Sequence, residues 1–259
     1  MSEPLSTDSL QADGSTVAFG IDIGGSGMKA APVDLGRGEL VADRFKILTP
    51  QPAAPEPMAD VVRQLVEHFH WEGGVGVTFP GIIRRGVTYS AVNLDKEWVG
   101  LDVDALFTEA SGRPVHVIND ADAAGLAEMR YGAGRDKAGV VLMLTFGTGI
   151  GSALFVNGTL VPNTELGHLE IDGKDAEAKA AASARDREHL SWEKWADRVE
   201  HYLRKVIFLI SPELIIVGGG ASRKAEKWVP LIDVGVEIVP ATLTNEAGIV
   251  GAALVADQE

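Results

Sequence analysis

Val17-Ala18-Phe19-Gly20-Ile21-Asp22-Ile23 runs straight into Gly24-Gly25-Ser26-Gly27, and apolar residues resume from Met28 to Val33. An apolar run, a glycine turn and a second apolar run predict two strands joined by a tight turn. The same grammar returns later: Val140 to Phe146 (VVLMLTF) enters Gly147-Thr148-Gly149-Ile150-Gly151, and Ser152 to Val156 continues as a strand. Two copies of one supersecondary unit predict a duplicated, two-lobed α/β fold with a substrate cleft between the lobes.

Working outward, Val41 to Ile47 supplies a third strand, and the proline-rich Thr49 to Pro57 reads as a loop. Met58, Val61, Val62, Leu65, Val66 and Phe69 recur at helical spacing before Gly73-Gly74. Val75 to Phe79 and Val115 to Ile118 read as strands, the first closed by Pro80-Gly81 and the second by Asn119-Asp120, with an alanine-rich helix to Met129. In open α/β sheets ligands collect at the carboxyl ends of strands, which makes both ends site candidates. A long helix from Ser191 to Ile210, a strand Leu214 to Val217, the triple glycine Gly218 to Gly220 and a helix near Glu246 to Val255 complete the plan. The expected division is an acidic disordered tail over 1–16, one lobe over 17–118 and another over 119–259. The last helix is a candidate to pack back on the first lobe.

Composition narrows the function classes. The 259 residues are 46% hydrophobic, enough for a sizeable core, and carry 23 Lys and Arg against 37 Asp and Glu, a net charge of -14. Nucleic acid is therefore not an expected partner. The absence of cysteine rules out disulfides and thiolate-held zinc and fits a reducing, cytoplasmic setting. The opening residues lack the basic start and apolar stretch of a secretory signal, and the apolar runs are too short to span a bilayer, so no membrane role is expected.

Four groups of residues carry chemistry. In Asp22-Ile23-Gly24-Gly25-Ser26-Gly27-Met28-Lys29 the glycines leave backbone N–H groups free to wrap phosphate oxygens, Ser26 adds a hydroxyl, Lys29 a charge, and Asp22 can hold a hydrated Mg²⁺ ion. On this stretch alone an ordinary hairpin turn is an equal reading, and the Walker pattern is absent. Gly147, Thr148 and Gly149 repeat the logic, and a second such loop in one chain favours phosphate over coincidence. Asn119-Asp120 offers a carboxylate that can take a hydroxyl proton and an amide that can fix another hydroxyl; both residues also suit a helix N-cap. Glu165-Leu166-Gly167-His168, followed by Glu177, supplies acceptors and donors suited to a polyhydroxylated sugar.

Together DIGGSGMK (Asp22–Lys29), VTFPG, NDADAA, LTFGTGIGSAL, ELGH and IIVGGGAS, in this order and spacing, resemble the ROK family of the sugar kinase/actin superfamily, over nearly all of the chain from Val17 to Val255. Within it the likeness is to the subgroup that phosphorylates glucose from inorganic polyphosphate. The resemblance implies an actin-like ATPase (ribonuclease H-like) fold. By resemblance Asp120 is the catalytic base, Asn119, Glu165 and His168 bind glucose, and the backbone of Pro80-Gly81 faces the sugar. The motifs around Gly24 and Thr148 are the phosphate loops, and Gly218, Gly219 and Gly220 lie beside adenosine. It further implies Mg²⁺, a homodimer, ATP as a second donor and mannose as a possible second acceptor.

Two departures from the family pattern stand out. Where typical members carry a cysteine-rich zinc motif, this chain has LEIDGKDAEAKAAAS (Leu169–Ser183), so zinc is not predicted, and Glu177 takes the place of the sugar-touching glutamate that follows the cysteines. Ser26 stands where threonine is usual, which keeps the hydroxyl. A polyphosphate chain needs a basic track, for which Lys29, Arg84, Arg85, Lys205, Arg223, Lys224 and Lys227 are candidates. The sixteen residues ahead of Val17 are too few for a helix-turn-helix domain, which disfavours repression. The rival readings are a strictly ATP-dependent hexokinase, an acceptor-independent polyphosphatase, a non-catalytic sugar sensor and, least supported, an actin-like filament protein.

Overall fold

The computed structural model describes residues 16–90 and 95–256, so the expectation for the acidic tail falls almost wholly outside the described residues. The chain divides into two compact units, changing from the first to the second at Ala127/Glu128 and back at Asn245/Glu246.

In the first unit β1 (Val17–Gly24) and β2 (Gly27–Asp34) pair antiparallel along their whole length. β3 (Glu39–Leu40) and β4 (Phe45–Ile47) both add to the outer edge of β2. Of the single strand expected over Val41 to Ile47 only Phe45 to Ile47 forms, while β3 lies just ahead of that range and residues 41–44 are irregular. α1 (Pro55–His68) starts three residues earlier than the apolar spacing predicts. Pro55 sits at the first helical position, where its missing N–H costs nothing and its fixed φ suits the helix. β5 (Val75–Phe79) lies parallel to β1, and beyond the β6 (Ile83–Arg84) and β7 (Val87–Thr88) hairpin and α2 (Val103–Ser111), β8 (Val115–Asn119) lies parallel to β5. The carboxyl ends of β1, β5 and β8 therefore share one edge of the sheet.

α3 (Asp120–Tyr131) follows β8 directly, and the unit boundary falls inside it rather than after Ile118 as the sequence suggests. The reason is local packing. Ala123 meets Gly251 of the closing helix Ala247–Ala253 within the first unit, whereas the buried Glu128 carboxylate accepts hydrogen bonds from the Ala133, Thr242 and Leu243 amides of the second. The closing helix lies against β1 and β5, and a Cβ on Gly76 would fall 1.7 Å from the Ala252 carbonyl oxygen, so only glycine permits this approach.

The second unit repeats the arrangement. β9 (Val140–Phe146) pairs antiparallel with β10 (Ile150–Val156), which carries β11 (Thr159–Val161). After β12 (Glu170–Ile171), β13 (Lys174–Asp175), α4 (Glu177–Ala180), α5 (Ala182–Arg187) and α6 (Trp192–Ile210), β14 (Leu214–Gly218) lies parallel to β9, and β15 (Glu237–Pro240) parallel to β14. α6 begins at its Ser191 cap, as the sequence predicts. β14, buried on both faces, reads as an unbroken apolar run for that reason, and β5, equally buried, departs from it only at Thr78.

Each unit pins the aromatic residue that precedes a site loop. Phe79, before Pro80, packs against buried Trp98 with ring centroids 4.9 Å apart. Phe146, before Gly147, meets Trp195 and Trp228 at 5.9 and 5.5 Å. Truncating such a buried ring costs about 3–5 kcal/mol, so both loops start from fixed points.

Candidate active site

In the first unit the Gly25-Ser26 turn is a two-residue hairpin turn exposed to solvent, with Gly24 opposite Gly27. Thr49 Oγ1 donates to the Gly24 carbonyl at 2.5 Å. Asp22, two residues earlier on β1, lies 3.6 Å from Lys29 and accepts from Thr78 Oγ1 at 3.1 Å, while Thr78 itself accepts the Ile23 amide at 2.9 Å. Thr78 is fully buried and went unnoticed in the sequence, although it lies inside VTFPG.

The Asn119-Asp120 pair resolves into two roles. Asn119 Oδ1 accepts the Ala121 and Asp122 amides at 2.9 and 3.0 Å, which makes Asn119 the cap of α3. Its Nδ2 donates to the Gly81 carbonyl at 3.1 Å and so ties the Pro80-Gly81 loop to the helix start. Gly81 is closely embraced, since a Cβ there would sit 2.2 Å from the Ser90 carbonyl oxygen. Asp120 is exposed in the first turn of α3, where the helix dipole favours negative charge, and its carboxylate also accepts the Ala121 amide at 2.8 Å.

In the second unit the Gly147 amide donates to the Gly149 carbonyl, and Thr148 is exposed between them. Ser183, at the start of α5, staples this loop: its amide donates to the Gly147 carbonyl at 3.0 Å and its hydroxyl to the Thr148 carbonyl at 2.6 Å. Gly219 adopts φ 74 and ψ -170, and a Cβ there would lie 2.7 Å from the Phe146 carbonyl oxygen, so the triple glycine abuts the origin of the second loop. Only glycine combines that conformation with that approach.

Buried Ser152 on β10 takes the Leu166 amide and donates to the Thr164 carbonyl, which fixes the Glu165 to His168 turn. Burial pushes the Glu165 carboxyl above its ordinary range, opposed by His168 and reinforced by Glu177. His168 Nδ1 meets Asp175 at 2.9 Å, and chiefly this bond raises the imidazole above its usual value. Glu177 belongs to the same electrostatic group, yet its Oε2 also accepts the Ile150 amide at 3.0 Å and would lie 2.3 Å from a Cβ on Gly149. It therefore faces the second glycine loop as well as Glu165 and His168.

Of the basic candidates, Arg84 lies over the Tyr89 ring and Arg223 meets the Asn245 carboxamide. The Ser183 staple instead brings forward a residue the sequence did not single out. Arg185 stacks over Trp192 at 3.8 Å, with its Nε buried and lacking a hydrogen-bond partner among the described residues. The sequence signal for it was the run ASARDR following the zinc-motif position, legible only once Ser183 is tied to the loop.

A family model described as ROK family matches residues 18–184. The chain belongs to the ROK family. It is 53% identical over 237 residues, covering 91% of this chain and 89% of the relative, to a polyphosphate glucokinase of Mycobacterium tuberculosis (strain CDC 1551 / Oshkosh). It is 50% identical to the polyphosphate glucokinase of Mycobacterium leprae (strain TN), over 91% of this chain and 73% of that one. Among solved structures, the inorganic polyphosphate/ATP-glucomannokinase of Arthrobacter sp. strain KM superposes with a TM-score of 0.88 at 55% identity, covering 92% of this ROK chain and 97% of the other. A ROK family glucokinase from Streptomyces griseus, solved with glucose and AMPPNP, shares the fold at TM-score 0.77 and 24% identity. The actin-like ATPase fold follows from this likeness. No helix among the described residues is long and apolar enough to cross a membrane.

Proposed function

We propose that this ROK chain is a polyphosphate-dependent glucokinase, transferring the terminal phosphoryl group of inorganic polyphosphate to the 6-hydroxyl of glucose, with ATP as a second donor and mannose as a second acceptor. The observation that carries the reading is the 53% identity, over 91% of the chain, to a polyphosphate glucokinase. Polyphosphate/ATP-glucomannokinase similarity supports the wider donor and acceptor range. The division of labour at Asn119-Asp120 supports the base: Asn119 holds the cap and Asp120 stands exposed in the first turn.

In this reading Asp120 accepts the proton of the 6-hydroxyl as that oxygen attacks the terminal phosphorus. The bond to the bridging oxygen breaks, and the shortened chain leaves with the electron pair. Glu165 and His168 hold other hexose hydroxyls, with Glu165 kept half-buried so that its hydrogen bonds are made away from bulk water. Backbone amides of the Gly24 to Gly27 and Gly147 to Gly149 turns, with Ser26, Thr148 and Lys29, receive the phosphate oxygens. Gly218 to Gly220 receive adenosine when ATP is the donor. Asp22 is a hard-oxygen ligand at a strand end, one-fifth exposed. No group of three His, Asp or Glu side chains able to hold a metal is present among the described residues. One carboxylate plus donor phosphates is a normal Mg²⁺ environment, so Asp22 fits that ion arriving with the donor, where it supplies charge neutralisation.

The proposal extends to a homodimer, for which Phe208 and Leu209, 85% and 62% exposed near the end of α6, offer apolar surface, and to a cytoplasmic setting, consistent with the absence of cysteine. Sedimentation analysis checks the former. The enzyme assay follows glucose 6-phosphate with polyphosphate and ATP offered separately, then with mannose replacing glucose. Polyphosphate consumption that proceeds equally without sugar refutes the kinase in favour of a polyphosphatase. Asp120→Asn keeps the side-chain shape and removes the base, so turnover is expected to fall about 10²–10⁴-fold with glucose affinity little changed. Near-normal turnover sinks the assignment of Asp120.

A further inference from the structure

His168 Nδ1 lies 2.9 Å from Asp175 Oδ2, and a small hairpin exists to keep it there. β12 and β13 hold two residues each, pairing Glu170 with Asp175 and Ile171 with Lys174. The two connecting residues, Asp172 and Gly173, have φ of 53 and 75. Positive φ at both central positions is the type I′ turn, for which Asp-Gly is a favoured pair, and such a turn fixes strand register. A slip of one residue would carry Asp175 to the opposite face. The hairpin is tethered at its base, where the Ala176 amide donates to the Leu169 carbonyl at 2.9 Å, and at its tip, where Asp172 pairs with His201 of α6 at 3.4 Å.

Stability does not explain this arrangement. The His168 and Asp175 side chains are 42% and 55% exposed, and both residues of β13 lie at the surface. Exposed ion pairs contribute little to folding. What the bond does is chemical. A neutral imidazole carries one N–H, and a carboxylate at Nδ1 requires that the proton be there, so Nε2 is left as the outward nitrogen with a fixed ring plane.

We propose that Asp175 is a positioning residue of the hexose site: it accepts the Nδ1–H of His168, sets its tautomer and orientation, and thereby aims Nε2 at a sugar hydroxyl. This rests on the assignment of His168 as a hexose contact made above. The remaining charged groups acting on His168 are Glu165 on the approach to its turn and Glu177 on α4, and both favour the protonated ring, as Asp175 does. Protonation leaves Nδ1 bonded to Asp175 and turns Nε2 from acceptor to donor, so Asp175 holds the ring in either state.

The test compares H168A, D175A, D175N and the H168A/D175A double variant in the full chain. Glucose affinity is measured by calorimetry, KM and kcat at saturating polyphosphate, and the ring nitrogens of His168 by NMR. H168A and D175A are each expected to weaken glucose binding roughly tenfold, the effect of one lost oriented hydrogen bond, with the D175A change carried mainly in KM rather than kcat. The double variant should be no worse than H168A, because the two residues act as one unit. D175N, whose amide oxygen still accepts Nδ1–H, should restore most of the affinity, and the His168 titration midpoint should fall. Glucose weakened by H168A but untouched by D175A overturns the proposal, as does full additivity in the double variant. Unchanged glucose affinity in H168A overturns the hexose assignment itself and removes the basis for the role of Asp175.

Discussion

Two glycines of the closing helix make opposite demands, and replacing each by alanine separates site geometry from packing. A Cβ on Gly248 would lie 2.6 Å from Asp22 Oδ1, against about 3.4 Å for ordinary contact, so the carboxylate would retreat by about 0.8 Å. The neighbour that yields is a side chain, held by Thr78 at 3.1 Å and Lys29 at 3.6 Å. Alanine is a better helix former than glycine by about 0.5–1 kcal/mol, which offsets the strain. Gly248→Ala should therefore melt within about 2 °C of the parent while kcat falls roughly 10–100-fold, the consequence of a nearly one-ångström displacement if Asp22 serves the donor as proposed. A Cβ on Gly251 would instead fall 1.8 Å from the Ala123 carbonyl oxygen and 2.3 Å from its carbon, both backbone. The helix must back away, loosening Ile249, Val250, Ala252 and Ala253, all buried. That overpacking costs about 3 kcal/mol or more, a fall in Tm of roughly 6–12 °C. Scanning calorimetry and the glucose 6-phosphate assay on both variants decide the matter. Unchanged kcat in Gly248→Ala refutes a demand on the position of Asp22, and an unchanged Tm in Gly251→Ala refutes the packing argument.

Arg185→Ala should raise the KM for long-chain polyphosphate roughly fivefold, the worth of about 1 kcal/mol for one half-buried charge contact, and leave the KM for glucose alone; equal effects on both substrates count against a donor contact. Glu188 accepts from Arg198 at 2.6 Å, which with Arg187 pulls its carboxyl down to about 2 from 4.5. Because the folded value is depressed, its contribution is complete above pH about 4.5 and disappears as pH falls towards 2. Glu188→Gln should flatten the stability profile in that window and nowhere else, as followed by denaturant midpoints at stepped pH.

The duplicated architecture was legible because its signal is short and repeated: an apolar strand, a glycine turn and another strand occur twice, and each copy became an antiparallel pair with parallel strands on its far side. What escaped was shorter than the periods that sequence patterns can report. α2 has nine residues and two buried side chains, Val103 and Phe107, too few to register as a stripe, although Asp102 caps it and Gly112 ends it at φ 67. The β12–β13 hairpin carries an Asp-Gly turn, a strong local signal, but its strands are too short to show alternation. The helix over Pro55 to His68 was misplaced at its start because proline breaks a helix interior yet suits a first turn, and the sequence does not say which position it holds. At the site, residue types were readable and partnerships were not. Asn119 and Asp120 were equal claimants for the cap, and only the bonds to Ala121 and Asp122 divide them. Asp175 acquires meaning from strand register, Thr78 from the neighbouring strand, and Ser183 from a staple across 35 residues.

The two glycine turns share a device that their sequences do not reveal. A turn presents carbonyl oxygens as well as amides, and a carbonyl facing a phosphate oxygen repels it, so glycine alone does not make an anion site. In the first unit the Gly24 carbonyl is taken by the Thr49 hydroxyl, and in the second the Gly147 and Thr148 carbonyls are taken by the Ser183 amide and hydroxyl. The donor comes in both cases from a later segment of the same unit, 25 residues on in the first and 35 in the second for the hydroxyl bonds. Occupying these carbonyls removes acceptors that would repel a phosphate oxygen, although the Gly147 amide is itself spent on the Gly149 carbonyl. The hairpin turn at Gly24 to Gly27 is therefore compatible with the phosphate loop proposed above, with Thr49 occupying the Gly24 carbonyl.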